Sequence, residues 1–504
     1  MRTIDYCYME FHSSDNDLVG DNEQMGLLRF KTPRVKITQN PTFILFTIDN
    51  TGSMNERGTR NSSKMDIVKH SFKNIAQYLS KQDAPIFISV HTFSDHINVV
   101  IDETKLTLEN VDAVIEKIQS IEADGSTNME LALENARTVL NNYQLSNKNH
   151  KTAHIFMTDG NVTQGSSDND TLNRLVETTN SGSVFVGFGN DHNVNLLKRL
   201  SENKCSFYQY IRDFESTACI YGEILHPYLY PCYENVSIMV KNGQIYDWKT
   251  NTWTDRIDED IVIGEIEKIY HIKSTKNLSI SADPNLHLDK TMYNDNITID
   301  VYGNVPIYPS NGEIPYLFGL ESGDIIKKDL TQYIFRYMTM CLLFRSTELI
   351  NVSLESRNEL RKDIRSLFTK MRDYMRIDQV TDEAFMKQLC DDLYIAYHGV
   401  KNEMGGDMLT LSRFTSQGRQ QTNISTPRRE DLDTARNRFI EPLSPIPKHM
   451  RRQNRNITFW DNDEEFVSEE PHEIDEYQIT ERTTSCYATQ PVLDTMTQIF
   501  GTIG

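Results

Sequence analysis

The sequence predicts an α/β fold: a doubly wound, mostly parallel sheet, followed by a small β-sandwich, a helical segment and a disordered charged tail. Three observations carry this expectation. Between residues 41 and 228, short apolar runs alternate with stretches of helical period. After Pro231 that period gives way to short alternating runs separated by Asn-Gly and Gly-Asn. From residue 326 the helical period returns, and it fades beyond residue 415. Strands covered on both faces read as continuous apolar runs, as a parallel sheet between two helical layers requires.

Residues 1–40 hold two strand-like pieces, LLRF (27–30) and RVKIT (34–38), expected to complete the β-sandwich from the other side of the α/β domain. The α/β domain is placed at 41–228. Its apolar runs are FILFTI (43–48), IFISVHTF (86–93), AHIFMT (153–158), SVFVGF (183–188) and SFYQYI (206–211). Between them, Met65, Val68, Phe72, Ile75, Ala76 and Leu79 recur at helical steps, as do Met129, Leu133, Ala136, Leu140 and Tyr143. INVVI (97–101) follows its predecessor after only Ser-Asp-His, a gap that permits only an antiparallel neighbour, so it belongs at a sheet edge. The β-sandwich is placed at 229–325, on VSIMV, QIYDW, IVIGEI, YHIK, LSISA and ITIDVY.

The helical segment is placed at 326–414. Leu360, Ile364, Leu367, Met371 and Tyr374 mark one helix, and Phe385, Leu389, Leu393 and Ala396 a second, together a helical hairpin packing its own core, the alternative being a partner-binding coiled coil. Thr381 before Asp382 and Glu383 predicts the second N-cap. In the tail, 415–504, residues 419–456 hold nine Lys/Arg against four Asp/Glu, beside four prolines. Residues 461–478 hold nine Asp/Glu and no Lys or Arg. Such charge blocks predict disorder, with PVLDTMTQIF (491–500) as a candidate docking helix.

Composition excludes several functions. The 504 residues carry 52 Lys/Arg against 72 Asp/Glu, a net charge of −20. That balance argues against a general nucleic-acid binder, which needs a basic face, and against docking on an anionic membrane. The longest apolar stretch, Tyr333–Phe344, contains Arg336 and is too short to span a bilayer. The first residues, MRTIDYCYMEFHSSDND, lack the apolar stretch of a signal peptide, so a cytoplasmic location is expected, or a virion if the source is viral. Seven cysteines without a CxxC pair support neither a disulfide scaffold nor a zinc ribbon.

One constellation carries chemistry. The first strand ends in Asp49-Asn50-Thr51-Gly52-Ser53, with oxygen side chains at alternate positions. Such residues fall outside the carboxyl end of the strand, where open α/β sheets bind ligands. Gly125-Ser126-Thr127-Asn128 precedes the Met129 helix and offers another hydroxyl; Thr158-Asp159-Gly160 ends another strand and offers a second carboxylate. One carboxylate and two hydroxyls on the first loop suit a hard cation that keeps several waters and stays electrophilic.

This set resembles the metal-ion-dependent adhesion site of von Willebrand factor A domains, over about 185 of the 504 residues. Phe93–Asp95 and Gly187–Asp191 are also similar to family segments. The resemblance implies Asp49, Thr51 and Ser53 as first-loop ligands, Thr127 as the second-loop ligand and Asp159 acting from the third loop, often through water. Thr51 stands where the family usually has serine; its hydroxyl survives. The implied cofactor is Mg²⁺ or Mn²⁺. The implied function is cation-dependent capture of an Asp or Glu on a protein partner, without an enzymatic step. The layout is also similar to that of von Willebrand A proteins of large DNA viruses and protists. The alternatives are a scaffold or particle component whose fold serves packing, or a subunit recruiting substrate to a larger enzyme. His91, His96, His154 and His192 lack metal-ligand spacing, and no histidine base is assignable to Ser53.

Overall fold

A computed structural model describes residues 24–31, 41–56, 62–179, 181–189, 192–211, 224–263, 267–274, 279–285, 298–303, 331–349, 353–376, 382–400, 406–420, 472–479, 485–487 and 489–501. The strands are β1 (Gln24–Lys31), β2 (Thr42–Asp49), β3 (Ile86–Phe93), β4 (Ile97–Leu106), β5 (Lys151–Thr158), β6 (Ser183–Phe188), β7 (Phe207–Ile211), β8 (Pro231–Lys241), β9 (Gln244–Asp247), β10 (Thr252–Thr254), β11 (Arg256–Ile263), β12 (Glu267–Ser274), β13 (Ser279–Asn285) and β14 (Thr298–Gly303).

Six strands form the central sheet in the order β4-β3-β2-β5-β6-β7, all parallel except β4, which runs antiparallel at the edge as its short turn predicts. Every residue of β2 is buried, because helices cover both faces. Ile44, Phe46 and Ile48 face one core with α1 (Lys64–Leu79) and α2 (Val111–Gln119). Phe43 and Leu45 face α3 (Met129–Ser146), where the Phe43 and Tyr143 rings stack at 3.9 Å. Full burial of one such ring contributes about 2 kcal/mol. A capping box starts α1: Ser63 Oγ accepts from the Asp66 amide and Asp66 accepts from the Ser63 amide. The helices α4 (Asn169–Glu177) and α5 (Val194–Ser201) complete the layer on the α3 side.

The remaining strands form two antiparallel sheets, β10-β9-β12-β1-β14 and β11-β8-β13. β1 lies between β12 and β14, so a strand from before the α/β domain pairs with strands from after it. RVKIT lies outside the described residues.

The helical segment is larger than a hairpin. It comprises α6 (Thr331–Thr347), α7 (Leu354–Met375), α8 (Glu383–Gly399) and α9 (Gly406–Arg419). Nearly all of α8 is buried, and its N-cap is Asp382, accepting from the Phe385 amide, not Thr381, which lies outside the described residues. These helices share one continuous core with the α/β domain, from Phe156 and Tyr208 to Phe335, Leu389 and Phe414. The Arg419 guanidinium stacks 4.2 Å over Phe207.

Several pieces of the charged tail are packed, where the charge blocks predict disorder. The acidic turn α10 (Glu473–Glu476) meets the basic face of α7: Asp475 with Arg365 at 3.2 Å, and Glu473 with Arg372 at 3.1 Å and Arg376 at 2.8 Å. Acids without cations of their own in sequence find them across the fold. The candidate docking helix is α11 (Gln490–Gly501), packed against α1. Ile499 is buried there, and Thr495 Oγ1 hydrogen-bonds His226 Nδ1 at 2.8 Å. The basic block 421–456 lies outside the described residues.

His154, in the centre of the sheet, is held between Thr47 Oγ1 (3.0 Å) and Ser183 Oγ (2.8 Å). Burial pushes its imidazole down to about 3, with His91 adding to the effect. The unfolded chain protonates this group near its ordinary 6.5, so between those values it holds the extra proton. Stability therefore falls as pH drops through that window, by about 1.4 kcal/mol per pH unit from this group. His154→Gln should flatten the dependence of the urea midpoint on pH between 6.5 and 5; equal slopes for the two proteins would contradict this assignment.

Candidate metal centre

The parallel register brings the ends of β2 and β5 side by side, with Ile48 opposite Met157, so Asp49 emerges beside Thr158. Asp49 is fully buried. Its Oδ1 accepts from the Thr51 amide at 2.9 Å and its Oδ2 from Thr158 Oγ1 at 2.6 Å. Burial pushes its carboxyl up to about 6, against the lowering effect of the Thr158 and Thr51 hydrogen bonds, and the charge of Asp159 adds to the rise. A buried carboxylate in that condition favours a nearby positive charge.

The 3-10 turn Gly52–Asn55 follows and lifts Ser53 back over the strand end. Thr51 Oγ1 and Ser53 Oγ stand 3.1 Å apart, and Ser53 Oγ donates to Asp159 Oδ1 at 2.9 Å. Three loops are stitched together by backbone bonds. Asn50 N donates to Phe93 O at 3.0 Å, Asp124 N to Asn50 O at 2.7 Å, and Asn128 N to Ser94 O at 3.0 Å. Gly125 takes φ +89°, and a Cβ there would stand 3.0 Å from the Ser94 Cβ, so the loop needs glycine on both counts. Thr127 is fixed from the other side: its amide donates to Thr163 Oγ1 at 2.8 Å, and its carbonyl accepts from the Thr163 and Gln164 amides, each at 3.0 Å.

All five residues singled out by sequence, Asp49, Thr51, Ser53, Thr127 and Asp159, meet at this edge. Two observations bear on whether these donors could hold a hard cation. Thr127 Oγ1 and Asp49 Oδ2 lie 3.1 and 3.4 Å from the point where a Cβ on residue 160 would stand, so glycine leaves a cradle between them. Thr51 Oγ1 and Ser53 Oγ, 3.1 Å apart, and Ser53 Oγ and Asp159 Oδ1, 2.9 Å apart, also stand at the spacing of about 3 Å that neighbouring ligands adopt around an octahedral Mg²⁺. Among the described residues no three His, Cys, Asp or Glu side chains gather as a metal-binding group, so a cation here would depend on hydroxyls as well as carboxylates.

Thr158, Lys64 and Glu56 take part without belonging to the motif. Thr158 orients Asp49. Lys64, the first residue of α1, places Nζ 2.7 Å from Asp159 Oδ2 and 3.0 Å from Glu56 Oε2. Burial works to lower this ammonium, but the hydrogen bonds to Asp159 and Glu56 prevail and hold it above the ordinary lysine value. One sequence signal was available: Lys64, Val68 and Phe72 step by four along the buried face of the helix. Of the histidines, His96 pairs with Asp95 at the surface, whereas His192 is buried against Tyr208 at 2.7 Å.

The family model described as von Willebrand factor type A domain matches residues 44–161. No curated protein matches the chain. Among solved structures, the chain is similar to a von Willebrand factor type A protein from Catenulispora acidiphila, at 12% identity and TM-score 0.44, covering 78% of this chain and 86% of that one. It is also similar to the ArnB paralog VWA2 from Sulfolobus acidocaldarius, at 14% identity and TM-score 0.45, covering 79% and 98%. The parallel sheet, its covering helices and the match over residues 44–161 give this part of the chain the von Willebrand factor type A fold.

Proposed function

We propose that the chain is a divalent-cation-dependent protein-binding module that captures an acidic side chain of a partner. Von Willebrand factor A domains commonly mediate protein–protein contact. The observation that carries the finer reading is the gathering of Asp49, Thr51, Ser53, Thr127 and Asp159 from three loops at one edge of the sheet, with Thr127 Oγ1 and Asp49 Oδ2 beside the cradle at Gly160. Asp49, Thr51, Ser53 and Thr127 would hold Mg²⁺ or Mn²⁺, with Asp159 reaching it through Ser53 or through water. When bound, the cation supplies an electrophilic point for a partner carboxylate. The chain's own residues do the rest: Thr158 and the Thr51 amide orient Asp49, and the Thr163 hydroxyl and backbone fix Thr127.

The preference for acidic partners follows from charge type. A hard cation with neutral hydroxyl ligands binds carboxylate oxygen more strongly than amide or hydroxyl oxygen. The scaffold reading differs in one respect: its contacts would be indifferent to the cation.

Titration calorimetry with Mn²⁺ tests the site. Wild type should bind, Asp49→Ala should abolish binding, and Thr127→Ala should weaken it about tenfold or more. Unchanged affinity in Asp49→Ala would sink the assignment. Partner retention in Mg²⁺, in EDTA, and by Thr127→Ala in Mg²⁺ then separates the readings, since equal retention in all three favours the scaffold.

Gly160→Ala gives an independent check. Its methyl would press on Thr127 Oγ1 at 3.1 Å and Asp49 Oδ2 at 3.4 Å. Mn²⁺ affinity should fall, together with about 1 kcal/mol of stability. A variant that binds Mn²⁺ as wild type does would place the cation elsewhere.

A further inference from the structure

The site is built around a positive charge of the chain's own. Lys64 is 6% exposed, and lysine is almost never so buried unless paired. Its ammonium holds Asp159 Oδ2, while Ser53 holds Oδ1, so both oxygens of Asp159 are engaged within the chain. The position is well supported. Ser63 caps the helix immediately before it. Gly189, at φ +69°, leaves room for the aliphatic stem, since a Cβ there would stand 3.0 Å from Lys64 Cε. Glu56, 62% exposed, offers the ammonium a second seat toward solvent at 3.0 Å.

We propose that Lys64 is the internal counter-cation of this site: it competes with the divalent ion for Asp159 and makes retention of that ion depend on an acidic ligand from the partner. This inference rests on the cation reading given above. Asp49 and Asp159 carry two negative charges and Lys64 one positive, so the buried groups sum to minus one; the carboxylate of Glu56, 62% exposed, is screened by water and weighs much less. A divalent ion added to them leaves one positive charge in excess, which one partner carboxylate cancels. Without Lys64 the two carboxylates balance the ion by themselves. Charges this close and this far from water interact much more strongly than at the surface. Because coupling is reciprocal, an acid that tightens the ion is itself tightened by the same factor.

The consequence is a site that is quiet in its unliganded state. The ammonium satisfies Asp159 without an ion, so the carboxylate is never left unpaired. When ion and acid arrive together, Glu56 keeps the displaced ammonium hydrogen-bonded at the rim. Partner specificity then has an electrostatic origin: a neutral ligand in place of the acid leaves the excess charge uncancelled.

The test uses the full chain, Mn²⁺ as the ion and acetate as the carboxylate probe. Lys64→Met keeps the unbranched stem and removes the charge. Calorimetry should show Mn²⁺ bound about tenfold more tightly by Lys64→Met than by wild type in the absence of acetate. Acetate should strengthen Mn²⁺ binding to wild type by a larger factor than to the variant. In EDTA, Lys64→Met should unfold at a lower temperature than wild type, and Mn²⁺ should raise its midpoint by more. Equal Mn²⁺ affinity, or equal acetate enhancement, in two folded proteins would overturn the inference while leaving the cation reading intact. Absence of Mn²⁺ binding in both would overturn the cation reading and this inference with it. If Lys64→Met does not fold, Glu56→Gln reads the same competition: removal of the second seat should weaken Mn²⁺ binding about threefold, and an unchanged affinity overturns the proposal.

Discussion

Two carboxylates, Asp49 and Asp159, stand buried at the carboxyl edge of one sheet, and buried negative charge must be compensated locally or it will not stay. Much of the local structure follows from that demand. The Thr51 amide and the Thr158 hydroxyl serve Asp49; the Ser53 hydroxyl and the Lys64 ammonium serve Asp159. These four partners come from three stretches of chain. The turn after β2, the last residue of β5 and the first residue of α1 are therefore held in one arrangement, and the carboxylates act as the knot between them. Buried polar groups of this kind favour one structure when every member is satisfied.

The same edge is braced from a distance. β1 pairs with β12 and β14, so the α/β domain leaves and re-enters the antiparallel sheets as an insertion whose two ends are tied together. At the β7 edge of the central sheet, α9 lies against β7, and Arg419 reaches the Ser206 carbonyl at 2.9 Å as well as the Phe207 ring. Neither contact touches the oxygen cluster. They fix the sheet from which the loops project, and a rigid sheet is what lets three loops present oxygens at a set spacing. The oxygen cluster therefore sits on short connections over a scaffold that has little freedom to relax.

Much of this was legible in the sequence because it depends on local patterns. Strands buried on both faces must read as unbroken apolar runs, and 43–48, 153–158 and 183–188 do. The turn Ser94-Asp95-His96 is too short for anything but an antiparallel return, and β4 returns so. Asp49, Thr51, Ser53, Thr127 and Asp159 announce themselves because strand-end loops with alternating oxygens are rare in combination. Contacts set by tertiary pairing were not legible. That β1 lies between β12 and β14, or that the acids of 473–476 meet Arg365, Arg372 and Arg376, depends on residues more than 90 positions apart. A charge block read without its partner looks like solvated chain.

Lys64 shows the limit most clearly, because its signal was present and pointed the wrong way. Lysine at the start of a helix reads as a solvated cation, and its long stem usually carries the charge to water even from an apolar face. The four-residue step through Val68 and Phe72 places it on the inner face, but that face opens onto the sheet edge and not onto the apolar core. There the stem passes Gly189 and the charge ends on Asp159. Motif reading searches for the groups that donate oxygen to a cation; it has no term for a cation the chain supplies itself. The residue that balances the oxygens is therefore visible only once the first turn of α1, the end of β5 and the turn after β2 are seen to converge. A cation that the chain supplies itself leaves no mark in the oxygen motif, and has to be read from charge and distance in the folded molecule.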